Sequence, residues 1–136
     1  MSAGALQKCV LGMLPDAEAT DGSQVRLLVT TGRGSLAHFT LAPGCVSRAV
    51  RHRTVDEVWF FLSAKGKMWR RYLDEEPVLV DVEAGVALTI PVGTAFQFRA
   101  DMVYEPLAAV GTTMPPWPGE NEAVLVEGPW QASLPD

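Results

Sequence analysis

His38 and His52 are the two histidines of the chain, and Glu57 follows the second by five residues. An imidazole and a carboxylate placed that close can serve three purposes. They can bind a divalent cation, which in a catalytic site generally takes three protein ligands plus open positions. They can move a proton, because burial and charged neighbours shift pKa values toward neutrality. They can also simply satisfy each other inside a core. One imidazole and one carboxylate are too few for a tight metal site unless substrate, water or another residue completes the set, and His38 is the candidate third ligand. Cys9 and Cys45 lie far apart without CxxC spacing and read as two free thiols of an intracellular protein.

The elements that must position these groups are strands. Runs rich in Val, Leu, Ile, Thr and aromatics recur about every ten residues between turn residues. They are Gln24–Thr31, Ser35–Leu41, Val46–Arg51, Glu57–Ser63, Lys67–Tyr72, Val78–Val82, Val86–Ile90, Ala95–Arg99, Tyr104–Val110 and Glu122–Val126. The best helical stretch is Ala5–Met13, and its periodicity is poor. Many short strands on this spacing predict an all-β, single-domain, closed antiparallel barrel. Alternate side chains of a strand share a face. One set is therefore Val46, Arg48, Val50 and His52; another is Glu57, Trp59 and Phe61; a third is Phe96 and Phe98. Gln97 and Arg99 fall on the face opposite that last pair.

Composition removes several function classes. With 11 Lys+Arg against 16 Asp+Glu the formal charge is −5, the wrong sign for wholesale nucleic-acid binding. No apolar run approaches the roughly 20 residues that span a bilayer, and the N-terminus makes a poor signal peptide. A cytoplasmic protein with no nucleic-acid or membrane partner is the expectation. Seven of the 11 cations lie between Arg48 and Arg71, which describes either a solvated strand edge or a basic mouth for a carboxylate- or phosphate-bearing ligand. Within that region Lys67–Tyr72 brings Trp69, Arg70 and Arg71 together, either as an amphipathic strand or as a stacking surface for a planar ligand. The Pro115-Pro116-Trp117-Pro118-Gly119 tail cannot pair fully in a central strand. It is expected to wrap the barrel, with Trp117 in a seam or over the mouth.

Two stretches resemble the motifs of the cupin superfamily. The first motif is Gly, five residues, His-x-His, three or four residues, Glu, six residues, Gly; here Gly44, Val50, His52, Glu57 and Ala64 occupy those positions. The second is Gly, five residues, Pro-x-Gly, two residues, His, three residues, Asn; here Gly85, Pro91, Gly93, Phe96 and Ala100 do. Both spacings fit without a gap, and the resemblance covers roughly residues 35–111. It implies a jelly-roll barrel of about residues 24–112, with the N-terminal segment 1–23 and the Pro-rich tail 113–136 wrapping the barrel or a dimer partner. Of the usual three His and one Glu, His52 and Glu57 remain. Ala64 replaces a turn glycine, for which Gly66 stands two residues later.

If His52 and Glu57 point inward as the resemblance implies, the lumen also receives Arg48, Val50, Trp59, Phe61, Phe96 and Phe98. An apolar, aromatic pocket with a few polar groups on one wall is the usual make-up of a small-molecule site. Three functions follow. The first is a cupin-type enzyme on a small aromatic or apolar molecule, with Mn, Fe, Ni or Zn weakly held at His52 and Glu57. The second is a metal-free enzyme in which His52 moves a proton, Glu57 orients it and Arg48 grips an anionic substrate. The third is a metal-free binding protein without catalysis. Members with full ligand sets act as dioxygenases, isomerases, decarboxylases and cyclases, so the resemblance leaves the reaction open. It also implies a homodimer formed through exposed strand edges.

Overall fold

The computed structural model describes residues 5–133. Eleven strands follow in chain order: β1 (Ala17–Glu18), β2 (Gln24–Thr30), β3 (Ser35–Leu41), β4 (Val50–His52), β5 (Asp56–Ser63), β6 (Lys65–Tyr72), β7 (Val78–Glu83), β8 (Ala87–Ile90), β9 (Thr94–Ala100), β10 (Leu107–Met114) and β11 (Ala123–Leu125). All pairings are antiparallel. They build one sheet in the order β1-β2-β3-β10-β5-β8 and a second in the order β11-β4-β9-β6-β7. The fold is the all-β jelly roll expected from the sequence.

The inward faces of the two sheets fuse into one core. In β5 the period of two is strict: Glu57, Trp59 and Phe61 are buried while Asp56, Val58, Phe60 and Leu62 are exposed. Leu41, Val50, Met68, Val82, Ile90, Phe96, Phe98 and Leu107 are among the residues of that core. At its centre Trp59 stacks on Phe39 with ring centroids 5.0 Å apart. That stack needs Gly111, which pairs with Trp59 across β10 and β5. A Cβ there would stand 2.8 Å from the Phe39 ring and 2.9 Å from the Trp59 ring, closer than packed carbon atoms tolerate.

Three local expectations are corrected. Residues 5–13 form no helix; this segment runs beside β2, where the Arg26 guanidinium donates to the carbonyls of Gly12 and Met13. The strand expected over Val46–Arg51 is broken, with only a bridge at Val46 before β4 begins at Val50. Ser47 leaves the ladder, and its hydroxyl accepts the Phe98 N–H at 3.0 Å. The turn after β5 is made by Ala64 itself at φ +65°. Gly66 serves a different need, since a Cβ on it would collide with the Arg99 carbonyl.

The tail packs on the outer face of the second sheet. The Gln97 amide donates to the carbonyls of Ser47 and Trp130, and its oxygen accepts the Trp130 N–H. Burial of Gln97, an outward residue of β9, is thereby explained.

Candidate functional site

His52 ends β4 and Glu57 is the second residue of β5, so a three-residue turn, Arg53 to Val55, carries the chain from one sheet to the other between the strands. Glu122 fixes that turn. Its carboxylate accepts the Thr54 N–H at 2.6 Å, the Thr54 hydroxyl at 2.5 Å and the Val55 N–H at 2.9 Å. Burial pushes the Glu122 carboxyl up, but these bonds and the nearby His52 outweigh burial and hold it below the usual carboxylate value. The sequence reading missed Glu122 because it lies 65 residues beyond Glu57, in a tail with no motif.

His52 and Glu57 are 6% and 2% exposed. The imidazole Nδ1 lies 2.9 Å from Glu57 Oε1, off the line of a hydrogen bond, a looseness common in sites without ligand. Glu57 Oε2 accepts the Trp59 indole N–H at 3.0 Å. The imidazole is also gripped edge-on by two rings, Phe96 at 5.3 Å and Trp117 at 5.1 Å. Trp117 comes from the Pro-rich tail, is 39% exposed, and is anchored by its N–H to the Ser35 hydroxyl. The tail thus places Trp117 directly over His52.

The remaining expected site residues separate. Val50 and Phe96 are cross-strand partners and fill two motif positions with hydrocarbon. Phe61 and Phe98 pack around Trp59 at 5.9 and 5.3 Å and belong to the core. Arg48 lies in the broken stretch before β4; its backbone N–H donates to the Asp21 carbonyl and its guanidinium to that of Thr20. It ties down the N-terminal turn. His38 stands in β3 between Arg26 and Val110, on the face opposite the core residues Phe39 and Leu41. The sheet therefore lies between His38 and His52, which removes His38 from the ligand set. Burial, then the charge of Arg26, lowers its pKa.

One further ionisable group, Asp21, acts electrostatically on the pair. Asp21 is buried, and one of its oxygens accepts both the N–H and the hydroxyl of Ser23, at 2.8 and 2.6 Å. Burial, and secondarily the charge of Glu57, raise its pKa against those bonds and His52. Arg70 reaches from β6 to donate to the Thr89 carbonyl of β8 at 2.8 Å, linking the two sheets.

This donor set does not fit a divalent cation. Val50 and Phe96 have no lone pairs to offer, and both Glu57 oxygens already meet protein groups. Among the described residues no three His, Cys, Asp or Glu side chains converge.

No protein-family model and no curated protein matches the chain. Solved structures do resemble it. A protein with a double-stranded β-helix domain from Klebsiella pneumoniae aligns at TM-score 0.61 and 14% identity, over 82% of this chain and 90% of that one. The capsular polysaccharide assembling protein CapF from Staphylococcus aureus aligns at TM-score 0.68 and 19% identity, over 88% of this chain but 35% of its own. An oxalate decarboxylase aligns at TM-score 0.66 and 17% identity, over 79% of this chain and 29% of that one. Two motifs in register, two antiparallel sheets around one core and these likenesses give the chain the fold of the cupin superfamily.

Proposed function

We propose that the protein is a cupin-type small-molecule protein that uses His52 and Glu57 as a proton-transfer pair without a resident metal. The contact at 2.9 Å between Nδ1 and Oε1 carries the reading. Glu57, itself oriented by the Trp59 indole, stabilises the charge that the imidazole acquires when it takes a proton. The Nε2 nitrogen forms no hydrogen bond among the described residues, so it is the atom available to a ligand. The surrounding rings Phe96 and Trp117 favour a small aromatic or apolar molecule carrying one acidic C–H or O–H. In this scheme Nε2 removes the proton and returns it to another atom of the same molecule, an isomerisation that needs no further reactant. Trp117 must swing or slide to admit the substrate, which its partial exposure permits.

Phenylpyruvate is a suitable probe because its keto–enol exchange needs only such a base. Wild-type protein in D2O is expected to exchange its benzylic protons, followed by proton NMR, faster than buffer does. His52→Ala should lose that acceleration, about 10²-fold or more, and Glu57→Gln should lose part of it. Exchange that persists in His52→Ala overturns the scheme. The alternative is a binding protein without catalysis, favoured by the dense aromatic packing around the pair. It predicts quenching of Trp117 fluorescence by the same probe with no exchange. The homodimer is also part of this proposal.

A further inference from the structure

The second sheet carries a cationic cleft on its outer face, with His52 at its border. Arg51 of β4 and Arg71 of β6 both pair with Ala95 of β9, one from each side. The two arginines therefore stand in one cross-strand row, about two strand spacings or 9–10 Å apart, with only a methyl group between them. Trp69, two residues before Arg71 and on the same face, forms the next position of the row's wall. Arg53, Gly93 and the chain around Val126 complete a concavity of about 640 Å³.

The arginines there are not paired. Arg51, Arg53 and Arg71 form no ion pair among the described residues. Arg53 reaches only the Asn121 carbonyl at 3.5 Å, and Arg71 only the Glu75 carbonyl at 3.3 Å. Asp74 and Glu127 border the same cleft without pairing to any of the three. Of the carboxylates of a chain with net charge −5, these two reach the cleft, and neither comes within ion-pair distance of its arginines. Two guanidinium forks flanking a small residue match the geometry of a phosphate or carboxylate group lying between them, and an indole beside them offers a surface for a flat ring.

We infer that this cleft is a binding site for an organic oxyanion carrying a planar ring, with the oxyanion over Ala95 between Arg51 and Arg71 and the ring against Trp69. The inference uses neither His52 nor Glu57 as a contact, although His52 borders the cleft. Adenosine monophosphate and inorganic phosphate serve as probes, titrated at low salt by calorimetry and by Trp fluorescence. Adenosine monophosphate is expected to bind more tightly than phosphate. Arg51→Ala and Arg71→Ala should each weaken it about tenfold, and Ala95→Leu, which fills the floor without changing charge, should abolish it. Circular dichroism verifies folding of each variant, and phenylpyruvate exchange should be the same in Arg71→Ala as in wild type. Absence of binding by wild type, equal affinity for the two probes, or affinity indifferent to all three substitutions would each overturn the assignment.

Discussion

Asp21 is the residue that most alters the picture of the interior. Its carboxyl is buried within electrostatic reach of Glu57 and His52, and burial raises its pKa from the ordinary 3.8. A raised acid pKa means that the folded state holds the proton more tightly than the unfolded chain. Stability on this account is present below the unfolded value and is lost as pH rises through the folded one. Asp21→Asn keeps the oxygen that accepts the two Ser23 bonds and removes the buried charge. It should therefore melt higher than wild type at neutral pH, with the gap closing below about pH 3.8. Thermal melts at both pH values decide this, and equal melting at neutral pH would mean that the carboxylate is adequately solvated. Nothing in the sequence ties Asp21-Gly22-Ser23 to the site: it reads as a turn, and only the fold brings it to Glu57. His52 and Glu57 were legible because their spacing matches a motif and their neighbours alternate strictly. His38 was not, because a strand's parity is fixed by its partners rather than by its own residues.

Strand and turn chemistry explains which elements could be read and which could not. The β5 alternation of buried and exposed residues is written directly in Glu57–Ser63, whereas the stretch before β4 is governed by the tail and by β9, so a continuous strand over Val46–Arg51 does not form. The motif positions Gly44, Gly85 and Gly93 all take positive φ, and Ala64 at +65° takes the fourth such turn without being glycine. An L-residue there costs roughly 1 kcal/mol against the β-carbon. Glycine relieves that cost and loses part of the gain to its freer unfolded chain. Ala64→Gly should raise the urea midpoint, by about 0.5 kcal/mol in stability, while Ala64→Val should lower it clearly. A lower midpoint for the glycine variant would show that the surrounding strands, not the turn, set the local energy.

The whole molecule presents two outer faces of opposite character. The six-stranded sheet shows Val58, Phe60 and Leu62, at 43, 46 and 43% exposed, with Val110 beside Phe60 across the ladder. The five-stranded sheet shows Arg51, Arg71 and the cleft between them. An apolar strand on an otherwise acidic protein is a costly surface to leave in water, and a second copy related by a two-fold axis would cover it with its own equivalent. Light scattering after size exclusion is therefore expected to report twice the 14.7 kDa chain mass. Phe60→Glu should shift it to the monomer without changing the far-ultraviolet spectrum, since Phe60 points away from the core. Arg51→Ala and Arg71→Ala should leave the mass at the dimer value, because they lie on the opposite sheet. A wild-type monomer at micromolar concentration would assign the apolar face to something other than a second copy. A dimer that survives Phe60→Glu would move the interface to an exposed strand edge, where a partner pairs by backbone bonds rather than by side chains.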